Sequence, residues 1–154
     1  MSKIMYADYA GIKNEQHIPD ALAQSDLRNG YVVKLGRDAK GNHTATLPAS
    51  EDDCKGELWF VWNTIDKPEL ENTDDYVIKK GDPARIFKFK ADYPVYVTSN
   101  LVSGDVTVGK YLIPDETNYG KLKADAANTG YAISLIVRKV LKTAQGVSYL
   151  CDVA

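Results

Sequence analysis

Two cysteines, two histidines and a few paired acids are the side chains of this sequence best suited to chemistry. Cys54 follows Glu51-Asp52-Asp53, and a thiolate there would face three carboxylates that oppose its formation. Cys151 alternates with Val147, Tyr149 and Val153, as a small core residue on a strand does. A zinc site needs about four close soft ligands, whereas His17, His43 and the two cysteines are scattered along the chain. The residues therefore predict two free thiols, no metal and no cofactor.

Nucleophile chemistry is equally hard to assemble. There is no Gly-x-Ser-x-Gly elbow, and neither histidine stands in motif spacing to a serine or cysteine. The loop Gly36-Arg37-Asp38-Ala39-Lys40-Gly41 lacks the Gly-Lys-Ser/Thr ending that cradles phosphate, and it lacks the third glycine of a dinucleotide turn. It reads as a hairpin loop. In Asp52-Asp53 and Asp74-Asp75 the partners are adjacent, and adjacent strand residues point to opposite faces, so neither pair makes an acid/base couple. The expectation is a protein without enzymatic activity.

Two binding signals remain. Arg85-Ile86-Phe87-Lys88-Phe89-Lys90 alternates aromatic and basic residues, as single-strand nucleic-acid platforms do, but the same alternation sends Phe87 and Phe89 to a core and the lysines to water. Exposure of those two rings separates the readings. Tyrosine is abundant, with ten residues against three phenylalanines, and it suits both wet interfaces and ordinary strands. Tyr6 and Tyr9 differ from the rest because they lie in a segment where no core is expected to need them.

The elements that must position these residues change character near residue 28. Residues 1–27 mix Ile4, Tyr6, Tyr9, Ile12 and Ile18 with polar residues in no clean period and contain Pro19, which reads as an extended arm. From Asn29 onward short alternating segments are separated by turns, the pattern of antiparallel strands: Tyr31, Val33 and Leu35, then Ala45, Leu47 and Ala49. Leu58-Trp59-Phe60-Val61-Trp62 is apolar on both parities, which predicts a central strand or one that carries Trp59 to an interface. Residues 66–75 read as a loop, and Lys80-Gly81-Asp82-Pro83 as a turn. Residues 133–141 fit both a helical stripe and a strand; their β-branched content favours a strand closing a hairpin with residues 147–153. That alternation turns Leu135 inward and Ser134 to water. The fold expected is mainly β: a small antiparallel β-barrel or tulip-like sandwich over residues 28–154, with an extended N-terminal arm over 1–27.

Lysine and arginine number 19 against 21 acids, so a net charge of −2 predicts no general attraction to nucleic acid or to an anionic membrane. No apolar run approaches a membrane span, and Met1-Ser2-Lys3 is not followed by a signal-peptide stretch, so the expectation is synthesis in the cytoplasm.

The last third of the chain runs Gly109-Lys110-Tyr111-Leu112-Ile113-Pro114, then Gly120-Lys121-Leu122, then Tyr131-Ala132-Ile133-Ser134 and a closing hairpin. Over residues 104–154 this order resembles phage head decoration proteins, also called capsid cement proteins. The resemblance implies a non-enzymatic virion protein on the outer capsid surface, assembled in the host cytoplasm. Its partner would be the major capsid protein, with room for neighbouring copies of itself. In that reading Ile4, Tyr6, Tyr9, Ile12 and Trp59 are the candidate capsid contacts. The stretch from about Asp52 to Asp82 departs from a minimal cement barrel. Two alternatives stay open: a tail or baseplate component, and a barrel that binds oligonucleotides or carbohydrates.

Overall fold

A computed structural model of the chain describes residues 5–7, 15–63, 76–144 and 146–154. The loop expected over 66–75 lies outside them. Among the described residues twelve strands make two sheets. The first is a closed barrel of β2 (Glu15–Ala23), β4 (His43–Thr46), β3 (Val32–Arg37), β5 (Trp59–Val61) and β6 (Pro83–Phe89), in that order. The second has seven strands in the order β1 (Met5–Ala7), β7 (Pro94–Thr98), β12 (Gly146–Val153), β11 (Leu135–Thr143), β9 (Tyr111–Pro114), β10 (Leu122–Asp125) and β8 (Val102–Ser103). One short helix, α1 (Glu51–Lys55), is capped by the Ser50 side chain and carries its acids in the first turn, where the helix dipole favours them. The mainly β fold with a small barrel is thus as the alternating sequence predicts.

Residues 15–23 form a barrel strand rather than an extended arm, pairing with β6 from Glu15↔Phe89 to Leu22↔Pro83. Pro19 hid this strand from the sequence pattern: the register with β6 shifts between Ile18 and Ala21, so no continuous period of two survives. The barrel is also not wholly antiparallel. It closes through a parallel pair, Leu22↔Thr44 and Ala23↔Ala45, between β2 and β4.

Two cores follow from the two faces of the barrel wall. Inside it lie Ala21, Ala23, Ala45 and Ala84 with Leu27, Val33, Val61, Ile78 and Ile86. Leu27 and Ile78 exchange backbone hydrogen bonds of 2.8 Å and pack into this core. Outside, Val32, Leu58 and Phe60 pack against the seven-stranded sheet through Val95, Val97, Leu112, Leu122, Leu135, Val137, Tyr149 and Cys151. This explains why residues 58–62 are apolar on both parities: β5 is central, Phe60 serves the outer core, and Val61 the barrel interior.

The 133–141 segment is a strand. β11 pairs with β12 from Leu135↔Val153 to Thr143↔Gly146, with a bulge between Val137 and Lys139. That bulge breaks the alternation and lets the same residues mimic a helical stripe. Ser134 corrects the expectation that it faces water. It precedes the strand and is buried: its Oγ accepts from Asn128 Nδ2 at 2.9 Å and its carbonyl from the Ala154 N–H at 2.9 Å. The Gly81 turn has the positive φ expected of it, +90°.

Candidate interaction surfaces

Of the five residues singled out by sequence, the two that are described, Tyr6 and Trp59, belong to different sheets. Ile4, Tyr9 and Ile12 lie outside the described residues. Tyr6 is the middle residue of β1, paired with Tyr96 of β7 at the margin of the seven-stranded sheet. Its backbone therefore pairs within the chain. Trp59 belongs to the barrel. It is half-buried against the barrel interior, with the Lys88 ammonium 6.0 Å from its ring centroid and Lys88 in turn paired with Glu57. Ile18 packs on the same interior core. Leu35, two residues beyond Val33 on β3, is among the few exposed large hydrophobic residues described.

Phe87 and Phe89 pack among other aromatic rings. Phe87 is 4% exposed and lies within a stack of rings: His17 at 4.6 Å and 5°, Phe89 at 6.2 Å and 8°. Phe89 continues the stack to Tyr93 at 5.0 Å and touches Phe60 at 5.6 Å. Phe87 is thus buried, whereas Phe89 is half-buried. Partial burial and then the Arg85 charge lower the pKa of His17 at the end of this stack.

The thiols are buried and unbridged. Burial pushes the Cys151 thiol up to about 12. Cys54 is also raised, first by burial and then by Glu116, Asp53 and Asp115, so two carboxylates distant in sequence join the neighbouring Asp53. Among the described residues no group of three or more His, Cys, Asp and Glu side chains is placed to hold a metal ion, and no helix is long and apolar enough to cross a membrane.

A polar cluster ties the β9–β10 turn to β8, β10 and Tyr131. Asp115 is 2% exposed; its carboxylate accepts from the Thr117 N–H at 2.9 Å, Thr117 Oγ1 at 2.7 Å and Ser103 Oγ at 2.8 Å. Burial alone would raise its pKa, but these hydrogen bonds outweigh it and the net shift is downward. Beside it Glu116 accepts from Lys123 Nζ at 2.6 Å and from the Tyr131 hydroxyl at 3.1 Å. Hydrogen bonds from Lys123 and Tyr131 hold Glu116 low, and its carboxylate raises Lys123. Both carboxylates here have protein donors, as buried and half-buried polar groups generally do.

The Gly120-Lys121-Leu122 turn positions a cleft. Gly120 has φ +94°, and a Cβ there would lie 2.8 Å from Leu47 Cδ2 and 3.0 Å from Tyr31 Cδ2. Only glycine lets the turn seat so closely on the barrel, where its carbonyl accepts from the Val32 N–H at 2.9 Å. The seat leaves a polar cleft of about 150 Å³ lined by Arg28, Tyr31, Asn100, Leu101 and Lys121. A smaller apolar cleft of about 90 Å³, between barrel and sheet, is lined by Phe60, Phe89, Ile133 and Val153 with Lys88.

Sequence reasoning missed the β7 edge. Val95–Thr98 reads as a strand in isolation, but nothing in its residues tells that β1 lies beside it. The chain matches no known protein family, no curated protein and no solved structure.

Proposed function

We propose that the protein is a non-enzymatic capsid decoration protein, a cement that binds the outer surface of a phage head and bridges major capsid subunits. The observation that supports this reading is the contrast in how the chain ends its sheets. A closed barrel gives a rigid body, and the N-terminal segment is laid as an added strand along an open sheet beside it. Strand addition at an edge is a general mode of peptide and protein recognition. The resemblance over residues 104–154 supplies the setting, a lattice on which many copies make moderate contacts that sum to durable attachment.

The test is co-sedimentation with undecorated phage heads. Deletion of residues 1–14 stops short of β2 and leaves the barrel strands intact. The truncated protein is expected to keep the far-ultraviolet circular dichroism of the full chain and to stay in the supernatant while the full chain pellets with the heads. Equal pelleting of both forms overturns the arm as anchor; failure of the full chain to pellet overturns the reading itself.

A further inference from the structure

We infer that β1 is an exchangeable strand: residues Met5–Ala7 of one copy fill the β7 edge of a second copy and link the two. β1 is the outermost strand of its sheet and pairs over three residues only, Met5↔Val97, Tyr6↔Tyr96 and Ala7↔Val95. The strand that follows it in sequence, β2, belongs to the other sheet and has its own partners, β4 and β6. No pairing of β1 therefore depends on where β2 sits. Residues 8–14 join them, a stretch of seven that can span roughly 25 Å when extended.

The acceptor side is built before β1 arrives. β7 is held from its other side by β12 over five register pairs, Ser148↔Thr98 to Asp152↔Pro94. Val95 and Val97 are fully buried beneath it, and Tyr96 between them points outward at 36% exposure. The slot therefore keeps its shape whichever copy supplies the strand. A second copy is the occupant because the slot already fits the backbone and register of this sequence, so exchange needs no new contact. Swapping an identical element between protomers is a low-cost route to association. A strand of three residues at an edge gains few hydrogen bonds against the entropy of ordering it, so it opens more readily than the sheet does. An empty β7 edge is a template for the next strand it meets.

This inference goes beyond the proposed function, because it gives β1 a second copy rather than the capsid as partner; its test uses the isolated protein, so either can fail alone. Two variants are made, Tyr6→Cys and Tyr96→Cys, each keeping the buried Cys54 and Cys151. They are mixed at high concentration, left to equilibrate and oxidised. The expected result is a covalent heterodimer that is at least several-fold more abundant than any dimer from either variant alone. The double variant, oxidised when dilute, is expected to close its bridge within one chain, which shows that the two positions reach each other. Closure within one chain at every concentration, with no heterodimer from the mixture, overturns the inference. A double variant that forms neither bridge also overturns it, because β1 then does not occupy the slot. Sedimentation of the unmodified protein gives a second readout: a linked species must grow with concentration, and a monomer throughout overturns the proposal.

Discussion

The barrel and the seven-stranded sheet solve burial in opposite ways. The barrel closes on itself, has no edge, and fills a narrow interior with alanines: Ala21, Ala23, Ala45 and Ala84 are all at most 1% exposed. The sheet stays open and fills a wide core with Leu112, Leu122, Leu135, Val137 and Tyr149, using the outside of the barrel as its lid. Closure removes unpaired backbone groups and with them the means of adding another strand. Openness keeps both margins, β1 on one side and β8 on the other. The barrel is therefore the scaffold, and the sheet is where a strand from elsewhere can be accommodated.

The largest expected effects test that difference in the cores directly. Leu112 is fully buried in the wide core, so Leu112→Ala should cost about 2–5 kcal/mol by leaving a cavity. Ala45 is fully buried in the narrow one, and Ala45→Leu should cost about 1–3 kcal/mol or more by overfilling it. Denaturant unfolding of both variants checks this. A harmless Ala45→Leu would mean that the barrel interior has room, and the contrast between the cores would fail.

Much of this architecture was legible in the sequence, and the illegible parts have local causes. Alternation from Tyr31 onward gave the strands of the barrel and of the closing hairpin, because period-two burial is a property of each strand alone. Trp59-Phe60-Val61 announced a strand buried on both faces. Pro19 concealed β2, since a register shift erases the period that reveals a strand. Ser134 looked exposed because its burial comes from Asn128 and Ala154, contacts that no local pattern encodes. For the candidate surface, the composition of the N-terminal segment marked Tyr6 as unusual, but its partner strand β7 is some ninety residues away, as Tyr6↔Tyr96 shows. Pairing at that separation is a fact of topology and leaves no trace in spacing.

A smaller effect tests the polar cluster at the β9–β10 turn. The folded-state pKa of Asp115 is lowered, so its contribution to stability is present above its unfolded value of about 3.9 and is lost as pH falls through the lower folded value. Asp115→Asn should therefore cost about 1–3 kcal/mol at neutral pH, from donors left poorly matched. The deficit should shrink below about pH 4 as the wild-type carboxyl protonates. Thermal melts of both proteins from pH 7 to pH 3 measure it. A deficit that is constant with pH would show that the charge of Asp115 contributes nothing and that only its shape matters.

The smallest effect concerns the margin itself. Deletion of residues 1–7 removes β1, whose three register pairs lie at one edge of the sheet, and leaves every barrel strand and the β7–β12 pairing in place. A few backbone hydrogen bonds at about 0.5–1.5 kcal/mol net each stand against an ordering cost of about 1–2 kcal/mol per residue. These nearly cancel, so the difference should be on the order of 1 kcal/mol or less, which for a chain of this size is a shift in melting temperature of about 2–4 °C at most. A scaffold strand cannot behave this way: a deletion that ran on into β2 would open the closed barrel and expose Ala21 and Ala23. The comparison of the two regions thus reduces to one measurement. If the melting temperature falls by more than about 10 °C when only residues 1–7 are lost, β1 is part of the core of its own chain, and the sheet margin belongs to the scaffold as fully as the barrel does.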